Sequence, residues 1–103
     1  MRWRRKKQGP RDLLDAYDTF FAECREIFIE RQNQHAQGSI NDVGLDDLMG
    51  VLRLKVARAK RQVLAGVPVQ KVFKDSLQDL AVYCFILWAK YSGEWLLEWR
   101  DAA

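Results

Sequence analysis

The chain has 103 residues, about half of them apolar and 30% charged, so it has the size of one domain. It carries enough apolar surface to fold without disulfide or metal staples, which excludes disorder as its default state. Its formal charge is only +3, and five of its seventeen basic groups stand in Met1-Arg2-Trp3-Arg4-Arg5-Lys6-Lys7; the near-neutral body excludes a globally basic nucleic-acid protein.

Residues 1–10 read as a basic flexible tail, suited to solubility or to weak phosphate and nucleic-acid contacts. No apolar stretch of the signal-peptide kind follows it. The longest apolar run, Leu80 to Ala89, is about half of the ~20 residues that a bilayer requires. A cytoplasmic protein without membrane contact is expected, and Cys24 and Cys84, both inside apolar helical patterns, read as buried thiols of a reducing compartment.

From residue 11 to 103 the pattern predicts a single all-α domain, a three-to-four-helix bundle. The first helix should run from about Arg11 to Gln37, with Leu13, Tyr17, Phe20, Cys24 and Ile27 on its core stripe and Asp12 in its first turn. Gly38 to Asp42, with Gly44 close behind, is a turn-like cluster. A second helix is expected from about Leu45 to Ala65, with Leu45, Leu48, Met49, Leu52, Val56, Ala59 and Val63 on one side, Gly66 at its C′ position and Pro68 blocking continuation. A third should begin near Val69 and end at Tyr91 or Ser92, before Gly93, and a short fourth helix is expected from Glu94 to Trp99, packing Trp95, Leu96 and Trp99 onto the bundle. Leu80 to Ala89 is apolar all round, so the third helix is either central or part of a subunit interface.

Charged side chains recur at helical spacing. Glu23, Glu26 and Glu30 share one side of the first helix, a spacing that suits a shared divalent cation or a solvated acidic face. Asp75 and Asp79, one turn apart on the third helix, border an apolar edge and should be partly buried, which requires a base such as Lys55 or Arg58, or a hard cation. Lys55 and Arg58 are the better phosphate partners on the second helix, while Arg53, Lys60 and Arg61 read as solvated. His35, at the end of the first helix, is accounted for by the helix dipole or by a ligand or acid role. A phosphate loop, a Ser/His/Asp order and a zinc spacing are all missing, which removes several enzyme classes.

The strings Cys24 to Asn33, Leu48 to Arg58 with its Lys-x-x-Arg, and Asp75-Ser76-Leu77-Gln78-Asp79-Leu80-Ala81-Val82-Tyr83 resemble the first nucleotide modification associated domain of phages and bacteria. More loosely, they are similar to the MazG-like all-α nucleotide pyrophosphohydrolases. The resemblance spans about residues 20 to 92. It implies a nucleotide-handling protein in which Glu23, Glu26, Glu30, Asp75 and Asp79 hold Mg²⁺, with Glu26 and Asp79 catalytic, while Lys55, Arg58 and Tyr83 meet the nucleotide. The metal would activate water at a phosphoanhydride. The sequence departs from the first family at His35-Ala36-Gln37-Gly38, where Asp-Tyr-Gly is usual, and from the pyrophosphohydrolases in the four-residue spacing of its aspartates. Mg²⁺-dependent pyrophosphohydrolase-like activity is the leading expectation, and binding or sequestration of a nucleotide, with Tyr83, Tyr91 or Trp88 stacking on it, is the alternative, which the missing Asp-Tyr-Gly favours. A purely structural, partner-binding helical module is the reading of a third class. A homo-oligomer, most simply a twofold dimer built on Leu80 to Ala89, is expected in any of them.

Overall fold

A computed structural model describes residues 11–35, 38–66 and 70–97. All of its regular elements are helical: α1 (Leu13–His35), the single turn α2 (Gly38–Asn41), α3 (Leu45–Leu64), α4 (Gln70–Ser92) and a 3-10 turn (Glu94–Leu96). Three long helices pack together, with α4 touching both α1 and α3. No described helix is long and apolar enough to cross a membrane.

Local chemistry sets the ends. The Asp12 carboxylate accepts the Asp15 amide at 2.7 Å, and the Asp15 carboxylate accepts the Arg11 amide at 2.8 Å, so α1 opens on a reciprocal cap. Where the sequence predicts only a turn, Gly38–Asn41 forms one helical turn, because Ile40 and Val43 pack against the core and the Val43 amide closes on the Ile40 carbonyl at 3.0 Å. Lys90 of α4 reaches across and its Nζ donates to the carbonyls of Ile40, at 2.9 Å, and Val43. Gly66 takes φ +65° just past α3, as its C′ position requires.

The core joins Cys24, Leu48, Val82, Ile86, Ala89 and Trp95. Several expectations of burial are corrected here. The start of α1 stands clear of the core: Leu13 is 86% exposed, with Leu14 and Tyr17 also open, and Gln78 of α4 meets α1 further along, at the Phe20 carbonyl. On α3, Leu48 and Ala59 face inward, whereas Leu45, Met49, Val56 and Val63 are exposed; the helix is turned so that Lys55 points toward α4. Cys24 is buried, but Cys84 is exposed, since it stands on the side of α4 away from the core.

After α4 the chain reverses at Gly93, with φ +86°, into the 3-10 turn. Trp95 is buried, but Leu96 is exposed, and Trp99 lies outside the described residues. An L side chain at Gly93 would be strained by about 1 kcal/mol even though space is open around it. Gly93→Ala should therefore lower the melting temperature by roughly 4–8 °C in a thermal scan followed by circular dichroism; an unchanged midpoint would show that the reversal is not held in that conformation.

Candidate functional site

Asp79 is the centre of the most highly charged contact among the described residues. It stands on the flank of α4 between α1 and α3, where its carboxylate pairs with Arg31 of α1 and Lys55 of α3. Its side chain is 17% exposed and that of Lys55 21%, so both charges have lost most of their water and the contact is stronger than a surface pair. Burial pushes the Asp79 carboxyl up, but the hydrogen bonds and charges of Lys55 and Arg31 together outweigh it and hold the group below its ordinary range. The Lys55 ammonium also lies 4.5 Å from the centre of the Tyr83 ring, a cation–π contact that fixes it from the other side.

Asp79 and Arg31 border an open cleft of about 410 Å³ lined also by Arg58, Gln62, Val72, Asp75 and Ser76. Arg58 stands exposed on its rim, one helical turn beyond Lys55. The Gln62 Oε1 atom is buried and has no hydrogen-bond partner among the described residues. A buried acceptor in that state favours a ligand or water that donates to it. Two carboxylates share the lining, Asp79 paired with Arg31 and Lys55 and Asp75 with Lys71, so the arginines, the hydroxyl and the unsatisfied amide are left to meet a small polar anion with donor groups.

The acidic residues divide between two places. Glu23 is half-buried; Lys74 pairs with it at 2.7 Å and Gln78 Nε2 donates to it at 2.8 Å. The Lys74 hydrogen bond is the main cause of its lowered pKa, opposed by burial and assisted by Gln78. Glu23, Glu26 and Asp75 line a second groove together with Lys71, Lys74 and Gln78. Glu26 and Glu30 are exposed, the former 3.9 Å from Arg25. Asp75, expected to be partly buried, is exposed and pairs with Lys71 at 3.0 Å, because its own helix supplies a lysine one turn earlier. Among the described residues no three acidic, histidine or cysteine side chains converge as metal ligands. With Asp79 occupied by two cations and Glu23 by Lys74 and Gln78, the carboxylates of one chain do not fit a shared Mg²⁺ as they stand.

The fold thus places the sequence-derived Lys55 against both Asp79 and Tyr83 and brings Arg58 to the cleft that Asp79 borders. It leaves Glu26 and Glu30 outside that cleft. Trp88 and Tyr91 line a different, apolar groove with Leu45, Met49, Cys84 and Leu87. Arg31 and Gln62 are contributors that sequence reasoning passed over. Arg31 follows Glu30 at the start of a polar run and looks like any surface arginine, and Gln62 carries no spacing signal. His35 ends α1, and its side chain lies outside the described residues, as do residues 1–10. No protein-family model, curated protein sequence or solved structure matches this chain.

Proposed function

We propose that the protein handles nucleotides by binding their phosphate groups in the cleft between α1, α3 and α4. The observation that carries the reading is the convergence of Arg31 of α1 and Arg58 of α3 on one cleft that holds the unsatisfied Gln62 acceptor, with Lys55 behind it on the shared Asp79 carboxylate. Arginine forks match phosphate oxygens in pairs. Asp79 orients Arg31 while Lys55 offsets its charge, and Lys71 offsets that of Asp75, so Arg58 at the rim is placed to meet a phosphate. Ser76 adds a hydroxyl, and Gln62 Oε1 would accept from a ribose hydroxyl or a base amino group. The same ligand class is the one that the resemblance read from residues 20 to 92, to nucleotide-modification and MazG-like domains, would imply.

Titration calorimetry with nucleoside triphosphates and inorganic pyrophosphate, with Mg²⁺ and with chelator, tests the reading. Binding should appear with the triphosphates, and Arg58→Ala should weaken it about tenfold or more, the loss of one charge-assisted contact. Arg58 is exposed, so its removal leaves the fold intact. Absence of binding in all conditions would overturn the proposal.

Hydrolysis is the second reading. Glu23, Glu26 and Asp75 share one groove, and a divalent ion with a triphosphate could draw them together against Lys71 and Lys74. Recovery of intact ligand after incubation with Mg²⁺ would leave binding standing and remove this reading.

A further inference from the structure

Helix α4 has a second apolar line besides the one it gives to the core. Phe73, Leu77, Leu80, Cys84, Leu87 and Tyr91 follow one another at steps of four, three, four, three and four residues. That is the spacing by which two helices lie along one another. The line runs about half a turn away from the inner residues Gln78, Val82, Ile86 and Ala89.

Toward the C-terminal half of α4 this outer side is open. Cys84 is exposed, Trp88 is 51% exposed and Tyr91 80%. Phe85 and Trp88 form a ridge, their rings 5.9 Å apart. An apolar groove lies on each side of it: one toward α1, lined by Phe21, Phe28 and Phe85, and one toward α3, lined by Leu45, Met49 and Trp88.

We infer that this face of α4 docks a second copy of the chain about a twofold axis, with Cys84 near the centre of the contact. Three observations select that occupant. The ridge and the grooves that would receive it are both present on one chain, as an isologous contact requires. Arg25 is the one charged residue lining either groove, so neither an anionic membrane nor a charged peptide finds its complement there, while depletion of charge marks the centre of a protein interface. The open parts of Phe21, Met49, Phe85, Trp88 and Tyr91 amount to about 600 Å² per chain, so that two chains covering them would bury about 1,200 Å², the lower end of the range for a specific pair. The inference stands independently of what the cleft binds.

Sedimentation equilibrium of the full chain at about 50 µM should give twice the 12.1 kDa chain mass. Trp88→Glu should raise the dissociation constant by about 30-fold or more, as loss of a central aromatic contact does, with helical circular dichroism retained. On the wild-type protein, a short bifunctional maleimide should join two chains through Cys84, the exposed thiol, and Cys84→Ser should abolish the product; this measurement decides the matter if Trp88→Glu fails to fold. A wild-type mass of 12.1 kDa, or a dimer that is neither linked through Cys84 nor weakened by the Trp88 substitution, would overturn the inference.

Discussion

Asp79→Ala is expected to lower folding stability by about 2–3 kcal/mol, because it strips the shared partner from two cations that have lost much of their water. The figure is set below that for a fully buried pair since Arg31 remains partly open to solvent. The melting temperature should fall by roughly 10–20 °C in a domain of this size. The loss should also depend on pH. A carboxyl held below its ordinary range contributes stability that is fully present above the unfolded value of 3.8 and is lost as pH falls below it toward the folded value. Thermal scans should therefore show a constant gap between wild type and variant from about pH 5 to 8, closing below about pH 4. A gap that persists unchanged in acid would assign the effect to packing instead of charge.

Trp95→Ala should cost more, about 3–4 kcal/mol, the range for removing a large aromatic from a core. Trp95 is buried against Phe28, with ring centres 6.3 Å apart at 72°, and belongs to the cluster of Cys24, Leu48, Val82, Ile86 and Ala89. It arrives there only because the chain reverses at Gly93, so its loss opens the end of the α1–α4 contact to water. Urea unfolding followed by far-ultraviolet circular dichroism should show the midpoint displaced with helical content preserved in the absence of denaturant. A shift corresponding to less than about 1 kcal/mol would show that the 3-10 turn is an ornament on the bundle and that its ring fills no essential space.

The helical spans were legible because Asp12, Gly44, Gly66 and Gly93 act through the backbone, and each of them works within a few residues of itself. The rotation of each helix was less so. On α3, apolar residues surround most of the helix, and the periodic pattern favoured Val56 and Val63 as inward residues. The structure instead turns Lys55 inward, because Asp79 and Tyr83 wait for it on another helix; a partner 24 residues away in sequence leaves no local signal. The pairing of Asp79 with a base such as Lys55 could be read from the need of a buried carboxylate for a partner. That Asp75, one turn earlier, stays in solvent with Lys71 could not, since both aspartates border the same apolar edge. The contribution of Arg31 depends on α1 crossing α4 near its middle, a property of tertiary geometry.

The two apolar lines of α4 leave hydrophobic burial unable, by itself, to choose which way the helix turns. A helix rotated by half a turn could still hide leucines and aromatics. It would, however, carry Gln78 away from the Phe20 carbonyl and Glu23, and Asp79 away from Arg31 and Lys55. It would also leave the Ile40 and Val43 carbonyls without the ammonium of Lys90. Each of those losses is worth about 1–3 kcal/mol, so a handful of polar side chains opens the energy gap between one native orientation and its near-degenerate rival. Apolar residues thus hold α4 to the bundle in either orientation, and Gln78, Asp79 and Lys90 select one of the two.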